Sequence, residues 1–506
     1  MNGTTLSFAL NGVGILSADD VRRCKRALLS SRRIGLTKMS VESSSKIPGW
    51  LPSFSAAAMA GGLFGYDIGS SSSVIRVLGD QGFDASQLSA VASMSLLGAL
   101  VSSIAVNLLG NRFGRKSELQ VAYGIYFAGT CLQFISSGFW SLVTGRFIYG
   151  LGIGAAMHAS PLLISESVPR DKRGSLVALK EAFIVFGILM GYVSGYVLSP
   201  LGTESWRYMF AAALLLEVPG AIVAASSQES PRFLCLQASK GPEYEHLLRE
   251  AEQNQYVLNG GDRDQATREI GDILQNIRDN QSQRGVGLLE TPGAKPALIS
   301  GVGLVLFQQV TGQPSVLYYA NRIFDQAGLG FGAAVGVGVF KLVSTVGSAY
   351  SVERFGRKPL LIAGTSIMTA CLAALSFIFS GIQPDAPFTS SQQVAIISAV
   401  ILYVGGYQIG FGPISWLMLS ELFPLQVRSK ALALGTISNF GSNLLVAALF
   451  EPLRESIGSS SLFAIFAIIS LSAILFESSY LSETKGKSLE EIEDMMRARD
   501  KPSSAI

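Results

Sequence analysis

Two ionisable side chains, Asp67 and Arg146, stand inside apolar stretches of this 506-residue sequence. An ionised carboxylate within a membrane costs several kcal/mol unless it finds a partner, and Arg146 is the partner that the sequence offers. A neighbouring guanidinium and burial act on a carboxyl pKa in opposite directions. A carboxylate held between them is suited to binding and releasing a proton. We therefore predict a proton-coupling pair; the alternative is a purely structural ion pair.

Amide side chains form a second group. Gln308 and Gln309 lie in a strongly apolar run, and Asn439 and Asn443 are four residues apart, which places them on one helix face. An amide both donates and accepts hydrogen bonds, so it suits a ligand rich in hydroxyl groups. The ring of Trp416 offers such a ligand an apolar face. The alternative for each amide is a hydrogen bond between helices.

Three further charged residues have apolar surroundings, namely Glu181, its neighbour Lys180, and Lys341. Glu181 has three interpretations that the sequence leaves open. The first is a second titrating group, the second is an acceptor for a ligand hydroxyl, and the third is an ion-pair partner of Lys180 or Lys341.

Acidic and basic residues also recur at matching spacings in two parts of the chain. Residues 111–116 (NRFGRK) match 353–358 (ERFGRK), and residues 166–173 and 421–428 both read Glu-x-x-Pro-x-x-x-Arg. Two matches in the same order indicate an internal duplication. One interpretation is that these charges only fix the orientation of the chain in the membrane. That role would not require acids and bases to match in both copies. The residues concerned are Arg112, Arg115, Glu166, Arg173, Arg354, Arg357, Glu421 and Arg428.

The elements that must position these residues are membrane helices. The sequence is 49% hydrophobic and 15% charged, with a mean hydropathy of +0.39, whereas soluble proteins carry about 25% charged residues. Apolar runs of about 20 residues recur, the length that crosses a bilayer, and backbone groups in lipid must pair within a helix. We predict an all-α membrane protein with twelve spans, near residues 52–76, 87–109, 118–138, 141–163, 176–199, 207–226, 297–320, 331–351, 358–380, 393–419, 430–450 and 461–480.

Charge in the links predicts the orientation. Lysine and arginine concentrate after spans two, four, eight and ten, which places both termini and the charged central segment on the cytosolic side, or its equivalent in an organelle. We predict five parts: a basic tail (1–50), a six-helix half (51–226), a cytosolic helical linker (227–295), a second six-helix half (296–482) and a cytosolic tail (483–506).

Several short motifs appear in a characteristic order. They are GGLFGYD at 61–67, ESPR at 229–232, FQQ at 307–309, QQVTGQPSVLYY at 308–319 and ETKG at 483–486. With them, the chain resembles the sugar porter family of the major facilitator superfamily from about residue 61 to 493. The segment 308–319 is most similar to the plant xylose–proton symporter-like branch, which includes plastid and vacuolar glucose carriers.

The resemblance implies the major facilitator fold, with two pseudo-symmetric six-helix halves, and transport of a hexose or pentose such as glucose or xylose by alternating access, coupled to a proton. It implies that Asp67 and Arg146 serve proton coupling. Two positions depart from the family pattern, because Glu181 replaces a glutamine and Pro314 replaces a sugar-contacting asparagine. The implied sugar-binding residues are Gln308, Gln309, Trp416, Asn439, Glu181, Phe64 and Tyr318.

The resemblance also implies that the repeated inner charges form a cytoplasmic gate. A passive sugar facilitator and a non-transporting sugar receptor are the alternatives within the same fold. We expect no enzyme, because the sequence has no nucleophile motif or phosphate loop. We also expect no cofactor and no metal, since the four cysteines are scattered and there are only two histidines. The expected partners are a small sugar, a proton and the lipid bilayer, with no nucleic acid and a monomeric chain.

The N-terminal tail is rich in arginine and serine and poor in acids. This composition is typical of an organelle transit peptide, and a plain basic cytosolic tail is the alternative. Together with the family branch, it favours the chloroplast envelope over a vacuolar or plasma membrane.

Overall fold

The computed structural model describes residues 48–109, 112–169, 172–241, 244, 246–281, 288–381, 388–423, 427–487 and 489–500. These residues form helices joined by turns and short links, which confirms the predicted all-α fold. The predicted transit segment lies in 1–50, almost entirely outside the described residues.

The described residues of the first half form seven α-helices. A break at residues 212–213 divides the predicted sixth span into two helices. The helices are α1 Leu51–Asp80, α2 Ala85–Leu109, α3 Arg115–Ile135, α4 Phe139–Ser167, α5 Arg173–Leu198, α6 Ser205–Ala211 and α7 Leu214–Ser226.

The central segment forms three short helices, α8 Pro231–Ala238, α9 His246–Leu258 and α10 Arg263–Gln281. Their apolar faces pack around a small core of their own that includes Phe233 and Ile270. Because these helices are amphipathic, they bury one face and leave the charged face outside. The Arg115 guanidinium lies 5.3 Å from the centroid of the Phe233 ring, so this segment sits against one end of the first half.

In the described residues, eight helices lie in the second half, several of them short, and a ninth, α19, lies in the C-terminal tail. They are α11 Ala294–Val310, α12 Gln313–Tyr318, α13 Ala320–Gln326, α14 Phe331–Phe355, α15 Arg357–Ser380, α16 Ser390–Ile409, α17 Phe411–Glu421, α18 Arg428–Tyr480 and α19 Leu489–Asp500.

Two predicted spans of the second half are broken near their middle. The seventh is interrupted at Gly312, whose φ of +90° lies in the left-handed region that favours glycine. Pro314 follows in the first turn of α12, where its missing N–H costs no helix hydrogen bond. The tenth is interrupted at Gly410, between α16 and α17. Broken helices leave polar backbone groups at mid-span, where membrane carriers hold their ligands.

Helix α18 contains the predicted spans eleven and twelve. Gly458 has φ 81° and ψ 159°, outside the helical region, so two helices meet there at a kink. The Tyr480 carbonyl at the end of α18 accepts a hydrogen bond from Ser300 of α11 at 3.0 Å. In the described residues, eight helical stretches are long and apolar enough to cross a membrane, and Lys430–Tyr480 counts once among them. The division into twelve spans stays a prediction.

Close packing of α1 on α5 organises the first half. A methyl group on Gly65 would overlap the carbonyl of Ile184, and one on Gly69 would overlap that of Ile188. Small residues permit such close contact between membrane helices. The two halves meet where α2 packs on α18 and α5 packs on α14. We call the end at which α1 terminates the outer end, because link charges predict that it faces away from the cytosol.

Candidate functional site

Asp67 on α1 and Arg146 on α4 form an ion pair inside the first half, with side chains 2% and 0% exposed. Besides the contact of Nη1 with Oδ1, Arg146 Nη2 lies 3.4 Å from Oδ2. Ser95 of α2 completes the cluster, because its hydroxyl donates to Asp67 Oδ2 and accepts from Arg146 Nη2, both at 2.9 Å. The structure therefore brings the predicted pair together, and Ser95 is a third member that sequence reasoning missed.

Tyr318 connects this ion pair to the second half. It lies at the end of α12, is fully buried, and is within electrostatic range of Asp67 and Arg146 across the interface. Its hydroxyl forms no hydrogen bond among the described residues. The sequence predicts a sugar contact for Tyr318. The structure places it near the ion pair. A movement of α12 would therefore change the electrostatic surroundings of Asp67 and Arg146.

The predicted amides gather near the two helix breaks. Gln309 Nε2 donates to Asn439 Oδ1 at 2.5 Å and thereby joins α11 to α18. Gln308 Nε2 donates to the carbonyl of Phe411, the first residue of α17, at 3.0 Å. Both glutamine Oε1 atoms are buried and have no partner in the described part of the chain. Acceptors held in this way match the hydroxyl donors of a sugar.

Two of the predicted sugar-binding residues are aromatic and pack in or against the core. Trp416 on α17 is partly buried and packs against the main core. Phe64 of α1 meets Phe440 of α18 edge-on, with ring centroids 5.9 Å apart. Phe64 therefore contributes to the contact between the two halves.

Glu181 pairs with its neighbour Lys180, and their side-chain atoms are 2.9 Å apart. Of the interpretations that the sequence leaves open, the structure shows this ion pair. The Glu181 side chain is 50% exposed, whereas that of Lys180 is 5% exposed. Lys341 instead donates to the amide oxygen of Gln408 at 2.7 Å.

The predicted gate residues form one ion pair in each half. Arg115 binds Glu166 at 3.2 Å, and Arg357 binds Glu421 at 3.1 Å. These pairs occupy corresponding places in the duplicated sequence, at the inner end of the bundle. All four side chains are less than a fifth exposed, so removing one partner would leave the other as a poorly solvated charge, which is strongly destabilising.

The other four predicted gate residues take different positions. Arg112 and Arg354 are exposed. Arg428 donates to the carbonyl of Phe423 at 3.0 Å. The side chain of Arg173 lies outside the described residues.

Two acids of the ESPR and ETKG motifs have a role that sequence reasoning missed. Glu229 accepts from the backbone N–H of Lys116, at 3.0 Å, and Glu483 accepts from that of Lys358, at 2.9 Å. Carboxylates at helix N-termini satisfy unpaired N–H groups. Burial alone would raise the pKa of Glu483, but backbone N–H donors including that of Arg357 outweigh it and lower the pKa. Each half thus ends with an acid bound to one of its own helices.

Other acids lie buried between peripheral helices. Thr130 of α3 donates to Glu217 of α7 at 2.5 Å, and Thr365 of α15 donates to Glu477 of α18 at 2.8 Å. His158 lies 2.8 Å from Glu118, as a hydrogen-bonded histidine would. Glu217 and Glu477 stand in apolar runs of the sequence, and this context indicates that each acid needs a polar partner within the bundle.

Comparison with known proteins assigns this arrangement. Residues 54–496 match the family model described as "Sugar (and other) transporter". The chain is 40% identical to "D-xylose-proton symporter-like 3, chloroplastic" of Arabidopsis thaliana, over 86% of this chain and 80% of that one. It is 33% identical to the "D-xylose transporter" of Levilactobacillus brevis, over 87% and 94% of the two chains.

A solved structure shares the fold. The major facilitator superfamily proton:xylose symporter XylE, bound to 6-bromo-6-deoxy-D-glucose, superimposes with a TM-score of 0.70 and 26% identity, covering 88% of this chain and 99% of that one. The helices described above therefore have the major facilitator fold.

Proposed function

This chain belongs to the sugar transporter family, and from that premise we propose that it moves a monosaccharide across a membrane by alternating access together with a proton. The similarity to proteins described as xylose–proton symporters supports both the cargo and the coupling. We also propose that it acts as a carrier and not as an enzyme, and that a single chain suffices.

The buried cluster of Asp67, Arg146 and Ser95 is the observation that carries the coupling. A carboxylate that accepts a proton loses its attraction for a guanidinium, so protonation of Asp67 releases Arg146. Tyr318 of the other half is within electrostatic range of the same cluster. A change in the ion pair is therefore transmitted to the short helices of the broken seventh span.

The sugar site that we propose lies beside the breaks in the second half. Gln308, Gln309 and Asn439 offer amide donors and acceptors to hydroxyl groups, while Trp416 offers an apolar face to the ring. Pentoses and hexoses both present this chemistry. Phe64 and Glu181 approach the same region from the first half.

We propose the chloroplast envelope as the host membrane, with a vacuolar or plasma membrane as the alternative. The similarity to an Arabidopsis protein described as chloroplastic and the arginine- and serine-rich tail support this choice. Fluorescent fusions of the whole chain in plant cells test it directly. A signal confined to the vacuolar or plasma membrane would reject the plastid assignment.

Counterflow and gradient-driven uptake in proteoliposomes test the transport mechanism. We expect D-xylose or D-glucose to accumulate when the lumen is less acidic than the medium. Asp67→Asn should retain counterflow, which needs no net proton movement, but lose accumulation by at least about tenfold, the effect of roughly 1.4 kcal/mol. Asp84→Asn changes an exposed acid in the link after α1 and should leave accumulation unchanged.

Each other outcome identifies an alternative. Full accumulation by Asp67→Asn would remove this residue from proton coupling. Wild-type uptake that ignores the pH gradient would indicate a passive facilitator. Sugar binding without counterflow would indicate a receptor.

A further inference from the structure

Lys341 is a buried cation that the proton-coupling pair does not use. It lies near the middle of α14, and the whole residue is only 4% exposed. Its Nζ donates to Gln408 Oε1 at 2.7 Å. Gln408 in turn donates to Thr345 Oγ1 at 2.6 Å, which fixes the direction of its amide oxygen. The protein thus holds the ammonium group in place.

The bonds of Lys341 supply no negative charge. Gln408 is a neutral amide, and the only other contact recorded for Nζ in the described ranges is the Tyr407 ring, 4.9 Å to the centroid. Among the same residues, Lys341 forms no ion pair with a carboxylate. A buried charge without a counter-charge costs several kcal/mol even after relaxation. An ammonium has three N–H donors, and Gln408 accepts only one of them.

The side chains around Tyr407 place Lys341 beside the proposed sugar site. The Tyr407 ring lies 6.3 Å from that of Phe411, whose carbonyl accepts a hydrogen bond from Gln308, one of the sugar-site amides. Tyr407 is also within electrostatic range of Glu181 from the other half. Helix α14, which carries Lys341, packs on α5, which carries Glu181. Lys341 is therefore at the interface between the halves, where a ligand of the amides would lie.

The neighbouring charges do not neutralise it. Asp67 is paired with Arg146, and Glu181 is paired with Lys180. Glu217 and Glu477 bind threonines of α3 and α15. The remaining buried acids of the described residues also have other partners: Glu118 lies beside His158, and Glu451 binds Arg322 and Arg454. Each of these acids is thus engaged by another group, and Lys341 is left with neutral partners.

On the basis of the proposed function, we infer that the sugar site takes an anionic monosaccharide, whose carboxylate or phosphate forms an ion pair with Lys341. The sugar ring would occupy the amides as any hexose does, and the acidic group would extend toward α14. Charge-assisted hydrogen bonds from Nζ to an oxyanion would use the donors that Gln408 leaves over. A neutral sugar fits the same amides but leaves the ammonium without its counter-charge.

Competition in counterflow tests the inference with the full-length protein in proteoliposomes. Labelled D-xylose or D-glucose reports transport, and unlabelled D-glucuronate and D-glucose 6-phosphate are the anionic probes, one for each acidic group. We expect at least one probe to inhibit wild-type counterflow at a lower concentration than unlabelled D-glucose does. In Lys341→Met, the inhibitory concentration of that probe should rise about tenfold or more, because a charge-assisted bond is lost.

Two comparisons keep the test decisive. Neutral counterflow by Lys341→Met shows that this variant is folded, and Lys341→Arg, which keeps the charge, should retain most of the inhibition by the anion. If wild-type neutral counterflow is normal but neither anion inhibits it, the inference is wrong and the proposed function stands. Equal inhibition of the wild type and Lys341→Met also overturns the inference. Absence of neutral counterflow in the wild type would contradict the proposed function itself.

Discussion

Gln309 and Asn439 join two helices of the second half through one hydrogen bond between amides. The Oε1 atom of Gln309 stays buried without a partner in the described residues. A buried acceptor without a partner costs about 1–3 kcal/mol. Because a sugar hydroxyl would supply the missing donor, the energetic penalty in the empty protein becomes binding energy in the loaded one.

Replacing Gln309 by leucine should therefore weaken sugar binding. We expect KM for the transported sugar to rise about tenfold. The sugar loses the acceptor Gln309 Oε1, and Asn439 loses the hydrogen bond that orients its amide; each bond is worth about 0.5–1.5 kcal/mol. Counterflow at a series of sugar concentrations measures this change. Gln393→Leu is the matched control, because this amide binds the Ala327 carbonyl in the link after α13. An unchanged KM in Gln309→Leu would place the sugar elsewhere.

Single residues show how far sequence reasoning reaches. Asp67 and Arg146 stand out because charge in an apolar run is expensive, and they are found together. Ser95 is one of many serines in the first half, so its type carries no comparable signal. Only the fold shows that its hydroxyl bridges both members of the pair. The roles of these residues in transport remain predictions.

The contact between α1 and α5 depends on the absence of side chains. Gly65 lies against the backbone of Ile184, so even a methyl group has no space there. The sequence motif at 61–67 is thus explained partly by packing and partly by Asp67. In contrast, Gly124 on α3 has no atom within 4 Å of the position that a methyl group would take.

Alanine at position 65 should force these helices apart. We expect Gly65→Ala to destabilise the protein by about 1–3 kcal/mol, the usual cost of overpacking. The readout is the midpoint of thermal unfolding of the detergent-solubilised protein. Gly124→Ala adds the same atom at an exposed helical position and should leave the midpoint unchanged or slightly raise it. Similar midpoints for the two variants would show that α1 and α5 can separate freely.

The positions of the long helices follow the predicted spans closely. The breaks inside the spans, in contrast, are not predicted by the sequence. Apolar runs predict a helix of sufficient length, but they contain no information on an interruption such as the one at residues 212–213. Gly312 and Gly410 are two of 54 glycines, and most of the others continue a helix. Backbone geometry at each break is decided by contacts with neighbouring helices.

The halves are joined by polar contacts at the outer end. Arg76 of α1 binds Asp325 of α13 at 2.5 Å. Asn321 Nδ2 donates to the hydroxyls of Ser72 and Ser73 at 3.2 and 3.1 Å. At the inner end, the two ion pairs of the predicted gate each lie within one half. The structure therefore represents a state in which the halves are fastened together at the outer end.

Reversing the charge of Arg76 should weaken the contact between the two halves at the outer end. Arg76→Asp places two carboxylates opposite each other, so we expect a cysteine at position 321 to react several-fold faster with an impermeant thiol reagent applied from outside. The native cysteines are first replaced by serine. Exchanging both charges, Arg76→Asp with Asp325→Arg, should restore the slow reaction.

Arg207→Asp provides the control for this measurement. It changes an arginine whose partner, Glu204, is in the same half, and it should have no effect on the reaction at position 321. If Arg76→Asp also leaves the rate unchanged, the ion pair does not hold the halves together.

The duplication predicted from the sequence is also visible in the structure. Glu229 and Glu483 follow the last span of their halves and bind helix N-termini at matching places. The sequence shows the repeated motifs, but it does not show which backbone groups these acids bind, because the partners lie more than 100 residues away in the chain.

The interruption at Gly312 has a kinetic consequence for turnover. It divides the seventh span so that α12 and α13, of six and seven residues, form a short lever that bears Tyr318, Asn321 and Asp325. Movement of this segment must also open its apolar packing, because Val316, Leu317 and Tyr319 are at most 2% exposed and each fully buried apolar side chain contributes about 1.5–3 kcal/mol. Release toward the outer compartment therefore requires the whole segment to separate from its neighbours, and the rate of that step sets a limit on turnover.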